Sequence, residues 1–162
     1  MKYALVTGGS RGIGRAICTA LAAKGYPVII NYASNEAAAN ETKALIEANG
    51  GTAELLSFDV SDEVSVDKAL EGWADNHPDD YVGILVNNAG FRQDAMMIFM
   101  QNAQWRNVLD TSVNGFFFVT RRVLKDMLIK RDGRIVNIVS LSGLKGMPGQ
   151  TNYSAAKAAV IG

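Results

Sequence analysis

Apolar residues along this chain follow two alternating spacings. Short runs rich in β-branched residues fall at 3–7, 28–31, 53–58, 83–86 and 134–139, and each predicts a buried strand. Between them, apolar positions recur at helical spacing. Ile13, Ile17 and Leu21 come every fourth residue within 12–24, and Gly25 follows as a stop signal. Residues 36–49, 62–76 and 112–130 read as further helices, with Ser61 placed to cap the third of them ahead of Asp62 and Glu63. A last helix begins near Asn152. Strands buried on both sides and separated by helices predict an α/β fold, a doubly wound parallel sheet of Rossmann-like type. In such a sheet the ligand crevice lies beyond the carboxyl ends of the strands.

Composition narrows the partners. Lys+Arg and Asp+Glu both count 16, so nothing points to nucleic acid or to a membrane surface. The longest wholly apolar run, Ala95 to Met100, is six residues, far below the ~18 of a membrane span. Cys18 is the one cysteine, which excludes an internal disulfide and a cysteine metal site. No metal site is expected. The chain reads as one ordered, cytoplasmic domain over 1–162.

Candidate chemistry follows the strands. After the first comes Thr7-Gly8-Gly9-Ser10-Arg11-Gly12-Ile13-Gly14. Glycines at 8, 12 and 14 let a backbone turn closely around a pyrophosphate, and the helix that follows offers free N–H groups and its dipole. The same residues also suit a plain tight strand–helix turn. At the end of the second strand, where an NAD site carries a carboxylate for the ribose, the chain reads Asn31-Tyr32-Ala33-Ser34. Ser10, Arg11 and Asn31 therefore point to NADP(H).

Ser140 follows the fifth strand, and Tyr153 and Lys157 lie four apart on the last helix. That spacing places them on one face. A phenol of pKa ~10 serves proton transfer near neutrality only beside a cation that stabilises its phenolate. A serine hydroxyl nearby suits a carbonyl oxygen on which charge develops. The set fits proton transfer coupled to hydride transfer.

These signals together resemble the short-chain dehydrogenase/reductase family, and the resemblance runs along nearly the whole chain: residues 7–14, Asp59, the Asn87-Asn88-Ala89-Gly90 turn, Asn114, Ser140, Tyr153 and Lys157. It implies that Asp59 and Val60 flank the adenine ring and that Asn87, Ala89 and Gly90 support the sheet beside the cofactor. It implies that Asn114 holds a water linking Lys157 to solvent. It further implies that Ser140 orients the substrate carbonyl, Tyr153 donates the proton, and Lys157 binds the nicotinamide ribose and stabilises the phenolate. Within the family the chain is most similar to 3-oxoacyl-[acyl-carrier-protein] reductases. That similarity implies reduction of a 3-oxoacyl thioester by NADPH in fatty-acid synthesis, and assembly as a homotetramer. The alternatives are a dehydrogenase for another small alcohol or ketone, and a catalytically incompetent fragment, since family members continue beyond the Tyr-Lys helix and the C-terminal third is expected to be missing.

Other features carry two readings each. The basic stretch Arg121, Arg122, Lys125, Lys130, Arg131 and Arg134 reads as a docking surface for an acidic acyl carrier protein or as a solvated helix end. Met96 to Met100 reads as an acyl-chain entrance or as packed loop. Phe91 narrows the pocket or merely packs. The broad apolar face of the 112–130 helix fits burial between subunits. Cys18 reads as core and His77 as a surface loop residue.

Overall fold

The computed structural model describes residues Met1–Gly162. Five parallel strands stand in the order β3-β2-β1-β4-β5: β1 (Lys2–Val6), β2 (Val28–Tyr32), β3 (Ala53–Ser57), β4 (Tyr81–Asn87) and β5 (Arg134–Asn137). The chain steps outward from β1 to β3 and then returns to the other side of β1. Val6 pairs with Ile30 on one side and with Val86 on the other. The reversal of strand order between β1 and β4 opens a crevice at their carboxyl ends.

Strand alternation builds two cores. Tyr3 and Leu5, with Ile29, Val82 and Leu85, face α3 (Glu63–Asn76) and α5 (Gly115–Lys130). Val66, Leu70 and Trp73 on α3 and Val119, Val123 and Met127 on α5 answer them at helical spacing. Ala4 and Val6, with Val28, Ile30, Ile84 and Val86, face α1 (Gly12–Ala23) and α2 (Glu36–Ala48) through Cys18, Ala22, Ala39 and Ile46. Leu5, Val6, Ile29 and Ile30 are sealed from solvent, and burying each such side chain stabilises the fold by about 1.5–3 kcal/mol.

Several local expectations are corrected. The third helix is capped by Asp62, whose carboxylate accepts the N–H groups of Val64 and Ser65; Ser61 instead bonds Asp59. The helix expected from 112 begins earlier, as α4 (Asn102–Leu109), whose polar sequence hides its periodicity. It passes into α5 through a widened turn at Asp110–Asn114, where the N–H of Gly115 bonds the carbonyl of Asp110. β5 ends at Asn137; Ile138 still donates to the carbonyl of Asn87, but the next N–H on the β4 side, that of Ala89, goes to Thr7, and the Ile138 carbonyl accepts from Lys157. His77 is not loop surface. It caps α3, stacks on Trp73 with ring centroids 4.5 Å apart, and meets Glu54. Met96 to Phe99 lie exposed around a single 3₁₀ turn and are not packed. A short α6 (Ser142–Lys145) precedes α7 (Thr151–Ile161).

Candidate active site

A cleft of about 640 Å³ lies at the carboxyl ends of the central strands. Its floor is the turn after β1. Thr7, buried at the strand end, accepts the backbone N–H groups of Asn88 and Ala89 at 3.0 Å each through its Oγ1. Asn88 returns the tie, donating from Nδ2 to the carbonyls of Thr7 and Gly8. The glycine-rich turn and the turn after β4 are thereby locked together, which explains a polar residue at each strand end. Gly8 and Gly12 hold positive φ, the region glycine favours. A Cβ on Gly14 would overlap the Gly8 carbonyl oxygen, so the close approach of helix to turn requires glycine there.

On the far side of that turn, Thr42 donates to the carbonyl of Ser10 at 2.8 Å, and Arg15 donates to the same oxygen at 3.0 Å. These bonds pin α1 and α2 to the turn. Thr42 carried no motif signal, because its contact joins segments 32 positions apart; Arg15 reaches Ser10 across only five positions but carried none either.

Gly8, Ser10, Arg11, Ile13 and Gly14 line the cleft together with Ala89, Gly90, Ser140, Tyr153 and Lys157. The structure thus brings the glycine turn and the Ser-Tyr-Lys set to one space. The other expected residues lie elsewhere. Asn31 is buried beneath the turn, where Oδ1 accepts the Gly8 N–H and Nδ2 donates to the carbonyls of Phe58 and Leu56; both ends of its amide are occupied inside the protein. Asn87 is turned to Thr120 and Asn137. Asp59 lies outside the cleft and is engaged by Ser61, while Val60 packs against the place of a Cβ on Gly115. Gly12, the first residue of α1, does not line the cleft but a separate hollow along that helix with Arg15 and Ala16. Asn114 is exposed and donates to Asp110, not towards Lys157; the widened turn directs Ser112 inward in its place.

Sequence reading passed over part of the wall. Asn35 lines it at the end of β2, beside Tyr32, Ala33 and Ser34, which the sequence marked only as a stretch without a carboxylate; Arg92 lines it after β4, beside Phe91, which stands in the cleft as its pocket-narrowing reading requires. Their cue is position alone, just beyond a strand's carboxyl end. Also passed over was a buried polar chain: Ser142 donates to Gln150 Oε1, and Gln150 Nε2 donates to Asp94, both at 3.0 Å. It ties the segments after β4 and β5 to the start of the helix that carries Tyr153.

Lys157 is 5% exposed, with Nζ bonded to the carbonyl of Ile138 at 2.7 Å and 5.7 Å from the centre of the Tyr153 ring. Burial pulls its pKa below the usual lysine value. The cleft lining includes Arg11, Arg92 and Lys157 but no carboxylate, so its charge is positive. A serine hydroxyl, a phenol and an ammonium facing one such space can polarise a carbonyl, give it a proton and stabilise the phenolate left behind. Elsewhere the basic stretch is partly engaged: Arg121 pairs with Glu63, and Lys130 lies over the Tyr81 ring.

Comparison with known proteins agrees with this geometry. A 3-oxoacyl-[acyl-carrier-protein] reductase of Synechocystis is 45% identical over 99% of this chain and 64% of its own length. An acetoacetyl-CoA reductase of Rhizobium meliloti is 47% identical over 99% of the chain and 64% of its own. The crystal structure of a candidate gluconate dehydrogenase from Agrobacterium tumefaciens superposes with a TM-score of 0.93 at 34% identity, covering 98% of this chain and 62% of that one. The chain therefore spans somewhat under two thirds of the relatives it matches. The family model described as short chain dehydrogenase matches residues 2–162, and the chain belongs to that family.

Proposed function

We propose that this chain forms the cofactor and catalytic part of an NADPH-dependent reductase of 3-oxoacyl thioesters carried on acyl carrier protein. One observation carries the cofactor reading: the cleft is lined by cations and by no carboxylate, with Ser34 and Asn35 where β2 ends. A 2′-phosphate meets attraction there instead of repulsion. The glycine cradle suits the pyrophosphate, with Gly8, Ser10, Arg11, Ile13 and Gly14 holding it. NADPH, when bound, supplies the hydride. Ser140 donates a hydrogen bond to the ketone oxygen. Tyr153 delivers its hydroxyl proton to that same oxygen, giving the 3-hydroxyacyl product. Lys157 faces the phenolate with its ammonium.

A second substrate reading rests on the acetoacetyl-CoA reductase among the relatives, in which coenzyme A replaces the carrier protein. Exposed Phe117, Leu124 and Leu128 on the outer side of α5 support assembly of several copies through that helix. The test is loss of NADPH absorbance with acetoacetyl groups on carrier protein and on coenzyme A, using full-length protein. Turnover that prefers the carrier-linked substrate and disappears in Tyr153→Phe is expected. Turnover that survives in Tyr153→Phe, or tighter binding of NADH than of NADPH, overturns the reading.

A further inference from the structure

Asn152 precedes Tyr153 in the first turn of α7 and is 0% exposed. Its side-chain oxygen accepts the backbone N–H of Tyr153 at 2.8 Å. That N–H is one of those a helix start leaves without an intrahelical partner, and the Gln150 side chain at the cap takes none of them. The Nδ2 group points its two hydrogens at separate segments. One goes to the carbonyl of Gln93 in the loop after β4, at 3.0 Å, and the other to the carbonyl of Gln104 in the first turn of α4, at 2.9 Å.

One amide therefore joins three stretches of chain far apart in sequence. Gln93 directly follows Phe91 and Arg92, and those two residues and Tyr153 all line the cleft, whereas Asn152 itself does not. The position asks for two donors and one acceptor on a short side chain, which an amide supplies. A carboxylate there has no donor and would set an oxygen against two carbonyls. A hydroxyl has one donor and too short a reach for both carbonyls. A buried polar network whose members are all paired holds a single arrangement. The Tyr153 ring reaches into the cleft from this turn, so where its oxygen stands follows from where the turn is held.

We propose that Asn152 is a positioning residue for Tyr153: through its amide, the loop after β4, α4 and the start of α7 hold as one unit, and that unit sets the phenol hydroxyl against the substrate carbonyl. The chain from Ser142 through Gln150 to Asp94 ties the same loops by side chains, but only Asn152 bonds the backbone of Tyr153 itself. The glycine turn and Arg11 lie outside this unit, so cofactor binding does not depend on it. The inference rests on the reading of Tyr153 as the proton donor.

The test compares full-length Asn152→Asp and Asn152→Ser with the parent. Leu70→Ala, a core truncation on α3 away from the cleft, serves as a control for lost stability. Both Asn152 variants are expected to lose about 10²-fold in kcat, the effect of displacing a reacting group by about 1 Å, with NADPH affinity unchanged. The solvent isotope effect on kcat is expected to rise in both, because proton delivery becomes limiting. Leu70→Ala should lower the melting temperature without either change. A folded Asn152 variant with the parent's kcat overturns the proposal, and so does a fall in kcat matched by Leu70→Ala or by a loss of NADPH affinity. A crystal structure of the parent with NADPH decides the matter even where neither variant folds: the Asn152 amide is expected on Gln93, Gln104 and Tyr153, and an amide turned away from them overturns the proposal. Parent-level activity in Tyr153→Phe overturns the reading of Tyr153 instead, while the crystal structure still decides what the Asn152 amide holds.

Discussion

Lys157 Nζ donates to the carbonyl of Ile138 at 2.7 Å, which fixes an ammonium on α7 to the backbone just after β5. One hydrogen bond does not replace the water that burial strips away, so the charged form is disfavoured in the fold. The folded pKa lies below the ordinary lysine value of 10.5, and the unfolded chain binds the proton more tightly. Below the folded pKa the group is charged in both states and its burial opposes folding. That penalty fades as pH rises from the folded pKa towards 10.5. Lys157→Met is therefore expected to raise the melting temperature at pH 7 while abolishing turnover, with the gain shrinking at alkaline pH. Thermal melts across pH check this, and a variant less stable than the parent at pH 7 refutes it.

Two glycines of the first turn are expected to respond differently to alanine. Gly12 has φ of 56° and open space around its Cβ position, so Gly12→Ala meets only backbone strain, about 1–2 kcal/mol. At Gly14 the new methyl overlaps the Gly8 carbonyl and stands 2.7 Å from Asn88 Nδ2. Backbone must move, which costs about 3 kcal/mol, the upper end of ordinary overpacking, and opens the phosphate cradle. Denaturant melts and NADPH titration should rank Gly14→Ala well below Gly12→Ala in both stability and affinity. Equal losses in the two variants would contradict the geometry.

The chain from Ser142 through Gln150 to Asp94 gives a third expectation. Gln150→Leu removes both links and leaves the buried Ser142 hydroxyl unpaired. Leaving a buried polar group without its partner costs about 1–3 kcal/mol. Because the chain holds the start of α7 against the loops after β4 and β5, kcat should fall more than KM rises. Steady-state kinetics beside a urea melt separates the two effects; a rise in KM with kcat unchanged would place Gln150 in ground-state binding only.

Cys18 packs under the glycine turn, its Sγ 2.8 Å from the place of a Cβ on Gly9, and burial pushes its thiol up to about 12. A buried neutral thiol is a poor nucleophile. Native protein at pH 8 is expected not to react with an aromatic disulfide reagent, whereas unfolded protein should release one thiol equivalent. Rapid modification of the native protein would show that the α1 packing opens readily.

The sequence by itself determined the order of the strands, the parallel sheet, and the glycine turn and Ser140-Tyr153-Lys157 set that meet in the cleft. It could do so because each signal is local. A β-branched run has one buried repeat, glycines bracket one turn, and Tyr153 and Lys157 share a face by helical spacing alone. Tertiary structure decided which polar side chains the cleft receives. Asn31 and Asn87 stand at strand ends, as cofactor contacts would, yet partners 27 and 33 positions away draw their amides into the protein. Asn114 and Ser112 differ by two positions, yet in the widened turn Ser112 is buried beside Lys157 while Asn114 is exposed. A helix period assumes a constant turn, and the five-residue turn at Asp110–Asn114 breaks that assumption where the chemistry lies. His77 likewise looked peripheral until the fold stacked it on Trp73. Long-range pairing of polar groups has no period, and for that reason only the folded chain could show it.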